Sequence, residues 1–197
     1  MLPIGVLALQ GDFREHIETL RVIGVQAIEI RKPDDLSKIS GLIIPGGEST
    51  VIDKLSKIFS VREPLIKLIQ SGFPVFGTCA GLIMLANRII DGTPTQESFG
   101  GLDIEVRRNA FGSQVDSFEA DVEFANSGSV HVAFIRAPIV ATVGSEVETL
   151  AKFGSDIVAV RQDNLLGISF HPEVTGVTAV HEYFIQMCRD ANFQHHK

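Results

Sequence analysis

Two segments of the chain hold residue types able to carry out nucleophilic chemistry. The first is Gly77-Thr78-Cys79-Ala80-Gly81, a G-x-C-x-G between the apolar Val75-Phe76 and a helical pattern. Glycines two positions before and two after the cysteine permit the sharp strand-to-helix turn of a nucleophile elbow, with a thiol in place of the usual hydroxyl. Such a turn lifts Cys79 off the sheet edge and sets it at a helix N-terminus, where the dipole favours the reactive thiolate. A lone cysteine is more often structural, yet a core position does not require a glycine on either side. The second segment is His171-Pro172-Glu173, after the apolar run Leu165 to Phe170. Pro172 pushes His171 towards extended backbone, so residues 171 and 173 are predicted to project to one side, a base beside its orienting carboxylate.

Rival readings apply to each segment. His-x-Glu also occurs in zinc deaminases, but these need a P-C-x-x-C pair that the sequence lacks, so neither a metal nor a cofactor is expected. Taken alone, the segment also fits a strand end with a turn proline and two solvated polar residues. Pro45-Gly46-Gly47-Glu48-Ser49-Thr50 lacks the lysine of a phosphate-binding loop. It is either a plain turn or the loop whose Gly47 N–H joins that of Ala80 in an oxyanion hole. The remaining histidines are less informative. His16 and His181 fall in amphipathic helical patterns and are expected at the surface or partly buried, His131 opens a strand run without a nearby partner, and His195 and His196 belong to the tail. Cys188 extends a helical apolar stripe and reads as structural.

These segments need elements to position them. Ile4 to Leu9 reads as a buried strand, followed by a helix whose capping box is Asp12 with Glu15 and whose apolar face is Phe13, Ile17 and Leu20, ended by Gly24. A buried strand at Val25 to Ile30, a short helix from Pro33 and a strand at Gly41 to Ile44 give βαβ spacing. Helical pattern runs from Ser49 to about Ser71, a strand spans Val75 to Gly77, and a helix covers Leu82 to Ile90. Beyond Asp91-Gly92-Thr93-Pro94 come short β-like runs at Leu102 to Arg107, Phe118 to Phe124, Val130 to Arg136, Ile139 to Val143, Val147 to Phe153, Ile157 to Gln162 and Leu165 to Phe170. Antiparallel pairs are expected there, with a hairpin turn at Asp163-Asn164 and a closing helix from about Thr178. The architecture predicted is a single α/β domain, a mixed and mostly parallel sheet with helices on both faces, with its site at the C-terminal strand ends.

Composition narrows the function classes. The chain has 197 residues, 45% of them hydrophobic, enough for one core and incompatible with disorder. A net charge of −7 without a basic run argues against nucleic acid, and the short apolar opening suits neither a signal peptide nor a membrane span. The cytosol is therefore expected, and in that reducing compartment a disulfide between two cysteines in dissimilar contexts is the weaker reading.

In order and spacing, LQG (Leu9 to Gly11), PGGEST (Pro45 to Thr50), GTCAGLI (Gly77 to Ile83), RNAFGSQVDSFE (Arg108 to Glu119), FIRAP (Phe134 to Pro138) and SFHPE (Ser169 to Glu173) resemble the class I glutamine amidotransferases. Within that group the resemblance is strongest to the glutaminase subunits of pyridoxal 5′-phosphate synthases. G-x-C-x-G with HPE is shared by many amidotransferases, whereas RNAFGSQVDSFE with FIRAP is specific. The resemblance implies one flavodoxin-like, three-layer glutaminase domain over residues 1–197. It implies that Cys79 attacks the side-chain amide of L-glutamine, that Gly47 and Ala80 hold the oxyanion, and that His171, held by Glu173, carries protons through a γ-glutamyl thioester. Gly47, Glu48, Ser49, Arg108, Ile135, Arg136 and Gln10 are the substrate-binding residues it implies, with Glu48 suited to the α-ammonium and an arginine to the α-carboxylate. The partner it implies is a TIM-barrel synthase subunit that accepts the ammonia. Alternatives are the glutaminase of another amidotransferase, such as imidazole glycerol phosphate synthase, or a cysteine hydrolase on the same scaffold.

Overall fold

The computed structural model describes residues 2–93, 95–108 and 117–194. Pro94, residues 109–116 of the RNAFGSQVDSFE segment, His195 and His196 lie outside the described residues. The first part of the chain runs β1 (Ile4–Leu7), α1 (Phe13–Val22), β2 (Ala27–Ile30), a 3-10 turn at Pro33–Lys38, β3 (Gly41–Ile44), α2 (Ser49–Ile58), α3 (Arg62–Gln70), β4 (Val75–Thr78) and α4 (Ala80–Leu85). The second adds β5 (Ala86–Ile90), β6 (Leu102–Arg107), β7 (Ser117–Glu123), β8 (Ser129–Ile135), β9 (Ile139–Val143), β10 (Glu148–Phe153), β11 (Asp156–Gln162), β12 (Leu165–Ile168), α5 (Pro172–Thr175) and α6 (Ala179–Gln194).

The main sheet has the order β2-β1-β3-β4-β12-β11-β9-β6-β5, with β10 also on β11. From β2 to β12 every neighbouring pair is parallel. The pairs β12·β11, β11·β9 and β9·β6 are antiparallel, and β6·β5 is parallel again. β7 and β8 form a separate antiparallel ribbon. Alternate strand residues face opposite cores, as the pleat requires. Leu42, Ile44 and Val75 meet Ile52, Leu65 and Leu82 from the helices α2, α3 and α4. Ile4, Ile43 and Phe76 meet Leu20 of α1, Phe184 and Cys188 of α6, and Val132 and Phe134 of the ribbon. Helices thus cover both faces. Because β1, β3, β4 and β12 are adjacent and parallel, the segments that follow them leave the sheet along one edge, where open α/β sheets hold their sites.

Several local expectations are corrected. The helical pattern from Ser49 to Ser71 is two helices, broken at Ser60, whose φ is 57°. Pro64 explains the break: it lacks an N–H to bond residue 60, a loss that costs nothing in the first turn of a new helix. The helix expected to reach Ile90 stops at Leu85, and β5 instead pairs with β6, a better use of Ile89 and Ile90. The strand after Gly24 is an edge strand in which only Ile30 is fully buried, since among the described residues nothing pairs beyond it. Asp12 precedes α1 but makes no side-chain cap. His16 and His181, expected near the surface, are both fully buried, and His131 is bonded to Asp121 and Glu119 across the ribbon. Among the described residues no helix is long and apolar enough to cross a membrane.

Candidate active site

Cys79 sits between β4 and α4 with φ 49° and ψ −101°, a conformation that non-glycine residues adopt only where the surroundings enforce it. Two constraints enforce it here. The Cys79 N–H donates to the carbonyl of Ile168 at 2.8 Å, tying the elbow to β12. The flanking glycines meet backbone: a Cβ on Gly81 would run into the carbonyl of Ile44, and one on Gly77 into the backbone of Gly81. The sequence pattern therefore has a packing cause, close approach of strand, turn and helix. Cys79 is 7% exposed, with its Sγ 3.9 Å from the carbonyl oxygen of Ile135.

His171 is fixed by its own backbone, whose N–H donates to the carbonyl of Ala133 in β8 at 2.8 Å. Pro172 does not continue an extended strand. It opens the single turn α5, whose first position tolerates its missing N–H, and that turn carries Glu173 back under the imidazole. The predicted pairing is reached by this route: Nδ1 of His171 lies 2.7 Å from Oε1 of Glu173. Both side chains are nearly inaccessible. Burial pulls the imidazole down, but its hydrogen bonds to Cys79 and Glu173 and their charges outweigh this and raise it to about 10. Asp12 adds a third carboxylate, its Oδ2 3.6 Å from the same nitrogen. Ligand atoms of Asp12, His171 and Glu173 lie within 4.8 Å of one another. Yet 2.7 Å is a charge-assisted hydrogen bond, whereas two ligands of a tetrahedral ion stand about 3.3 Å apart.

A cavity of about 280 Å³ opens over the sulfur, at the small end of ligand sites. Its walls include Cys79, His171, Gln10, Gly47, Glu48, Ser49, Arg108, Ile135 and Arg136. Ala80 and Glu173 stand behind this wall, the former buried beside the sulfur in the first turn of α4. The polar groups are already tied together. Gln10 Oε1 accepts the N–H of Glu48 at 2.8 Å. Glu48 Oε1 accepts from Arg108 at 3.0 Å, Arg108 donates to Gln96 at 2.9 Å, and Gln96 donates to Ser49 at 2.8 Å. Arg136, in a left-handed conformation with φ 43°, makes no ion pair among the described residues. Three participants were not singled out as site residues in the sequence: Asp12, read there as a helix cap, and Ile83 in the wall, and Gln96 behind Arg108 and Ser49. Asp12 adjoins the LQG segment, which is a usable signal; nothing in the sequence marks Gln96.

Comparison with known proteins agrees with this geometry. Residues 6–190 match the SNO glutamine amidotransferase family. The chain is 54% identical over 185 residues to the pyridoxal 5′-phosphate synthase subunit PdxT of Leifsonia xyli, covering 92% of this chain and 93% of that one. With the protein of the same name from Clavibacter sepedonicus it shares 56% identity over 191 residues, 95% of this chain and 91% of that one. A crystal structure described as a glutamine amidotransferase superposes with a TM-score of 0.89 at 48% identity, covering 94% of this chain and 98% of the other. With the elbow, the buried His-Glu pair and the cavity in place, these matches establish that the chain belongs to the SNO glutamine amidotransferase family.

Proposed function

We propose that the chain, acting as one domain, is the glutaminase subunit of a pyridoxal 5′-phosphate synthase, hydrolysing L-glutamine by covalent catalysis at Cys79. The observation that carries this reading is the meeting of the strained Cys79 and the buried His171–Glu173 pair at one cavity walled by Glu48, Arg108 and Arg136. Glutamine fits the chemistry of that wall: an α-ammonium for Glu48, and an α-carboxylate for an arginine fork. Arg136, without an ion pair among the described residues, suits the carboxylate; Arg108 is already committed to Glu48 and Gln96.

His171 enters the reaction protonated, its imidazole raised to about 10 beside Cys79 and Glu173, so the sulfur attacks the amide carbon with its proton already on that ring, and the oxyanion is met by the N–H groups of Gly47 and Ala80. The intermediate collapses when His171 returns that proton to the leaving nitrogen, releasing ammonia and leaving a γ-glutamyl thioester. His171 then takes a proton from water, whose oxygen attacks the thioester, and gives it back to the sulfur as glutamate leaves. Glu173 accepts the Nδ1–H throughout and stabilises each imidazolium. The sum is glutamine plus water giving glutamate plus ammonia.

Ammonia is protonated at neutral pH and is then no nucleophile, so a biosynthetic glutaminase gains by handing it directly to an acceptor subunit. The PdxT relatives bear the name of a synthase subunit, which supports a synthase subunit as that acceptor; a TIM-barrel fold for the acceptor and the cytosol as the site of work belong to the same proposal. The test is glutamate release from glutamine by the chain alone and with a pyridoxal 5′-phosphate synthase subunit, with Cys79→Ala as control. Partner-dependent activity lost in the variant is expected. Activity indifferent to the partner would move the protein to another pathway, and activity that survives Cys79→Ala would overturn the mechanism.

A further inference from the structure

Behind Glu173, away from the cavity, lie two histidines that the mechanism leaves without a role. His16 of α1 and His181 of α6 are fully buried, with Phe76 in T-shaped contact with both rings. Nδ1 of His16 lies 2.9 Å from Nε2 of His181. Nε2 of His16 lies 3.1 Å from the Thr78 hydroxyl oxygen and 3.6 Å from Oε1 of Glu173. Burial first, then the neighbouring His181 and His171, hold His16 well below the ordinary imidazole range, and burial holds His181 at about 4. Both rings are therefore neutral at pH 7, each with one N–H and one bare nitrogen.

Only two proton arrangements make the His16–His181 hydrogen bond. In one, His16 donates from Nδ1; its bare Nε2 then accepts from the Thr78 hydroxyl while facing the Glu173 carboxylate, lone pair against charge, and His181 keeps a buried N–H at Nδ1. That atom has no partner among the described residues, and orphaned buried N–H groups are the rarer defect. In the other, His181 donates from Nε2 to Nδ1 of His16, the orphan is a bare nitrogen, and the His16 Nε2–H points at the Thr78 oxygen and towards Glu173. We propose that His16 is a positioning residue of the active site: held in its Nε2–H form by His181, it turns an N–H dipole on Glu173 from behind and so fixes the carboxylate that orients His171. Thr78, immediately before Cys79, ties the same ring to the elbow, so one buried imidazole references both halves of the machinery. The proposal rests on the reading of Cys79, His171 and Glu173 as the catalytic groups.

The proton positions are read directly by long-range 1H–15N correlation on the histidine-labelled full chain at pH 7.5, with His16→Gln and His181→Gln used for assignment. Nε2–H forms of both rings are expected; an Nδ1–H or charged His16 would overturn the proposal whatever the variants do. Kinetics supply the second arm, measured with the synthase subunit present. His16→Leu is expected to lower kcat roughly tenfold, by analogy with the loss of outer-shell partners behind metal-bound histidines, with KM within twofold. The groups facing His171 are Cys79, Glu173, Asp12 and His16, so the limb of the pH–rate profile that reports His171 is expected to move to lower pH as the hold on Glu173 weakens. His16→Gln, which keeps a terminal N–H, is expected to recover most of both effects. A His16→Leu protein that melts lower yet keeps kcat and the limb would make His16 a fold residue only. Activity surviving in Cys79→Ala would instead show that the catalytic reading itself had failed.

Discussion

The buried histidine pair makes stability fall in mild acid, by an amount that follows from the structure. His181 ionises near 6.5 when the chain is unfolded and near 4 when folded, because burial penalises its charged form. A group depressed in this way leaves stability intact above 6.5 and withdraws it as pH falls from 6.5 towards 4, where only the unfolded chain takes up the proton. Each tenfold change in proton affinity is worth about 1.4 kcal/mol, so the displacement amounts to roughly 3 kcal/mol, most of it lost by pH 4.5. His16, depressed likewise, adds to this loss. His171 has the opposite sign: raised to about 10, its contribution is complete below 6.5 and drains away only as pH rises towards 10, so it does not mask the acid limb. Urea unfolding at pH 7.5 and pH 4.5 measures the difference, against a total of roughly 5–15 kcal/mol for an ordinary domain. In His181→Phe, which keeps the volume and the apolar contacts around Phe76, the difference between the two pH values is expected to shrink by roughly 3 kcal/mol. An unchanged difference would refute the reasoning.

Other perturbations test other links. Gly81→Ala drives a methyl into the carbonyl of Ile44, which should cost roughly 3 kcal/mol in urea unfolding and distort the elbow enough to abolish glutaminase activity. Arg108→Gln removes the charged partner of Glu48 and is expected to raise KM for glutamine about tenfold or more while changing kcat less, as steady-state kinetics would report. His171→Asn is expected to cost nearly as much activity as Cys79→Ala, whereas Glu173→Gln keeps a measurable residue, since it disturbs the orientation of the base without removing it.

The parts of the fold legible in the sequence were those that local chemistry dictates. The G-x-C-x-G pattern announced the elbow because two glycines are what close backbone approach demands. The βαβ order followed from apolar runs punctuated by glycine and proline. Errors arose where distant pairing decided the outcome: Ala86 to Ile90 became a strand because Leu102 to Arg107 was there to receive it, some fifteen residues on. Cys79, His171 and the PGGEST loop were readable because each adjoins a strand end, and parallel strands bring such ends to one edge. Gln96 was unreadable, since only the fold sets it against Ser49 and Arg108. The histidine pair was legible and misread: His16 lies three residues after Phe13 and four before Leu20, and His181 three before Phe184 and seven before Cys188, both on apolar helix faces. Polar type outweighed position in that reading, and the buried partner of each was invisible at a separation of 165 residues.

The most direct measurement is the identity of the nucleophile. A glutamine analogue with an electrophilic chloroketone in place of the side-chain amide, added to the full chain with its synthase partner, marks whichever residue attacks that carbon; peptide mapping by mass spectrometry then locates it. Labelling of Cys79 alone, prevented by excess glutamine and strongly slowed in His171→Asn, is the expected result. Glutamine-protected labelling of any other residue, or undiminished glutamate release after Cys79 is fully modified, would contradict it.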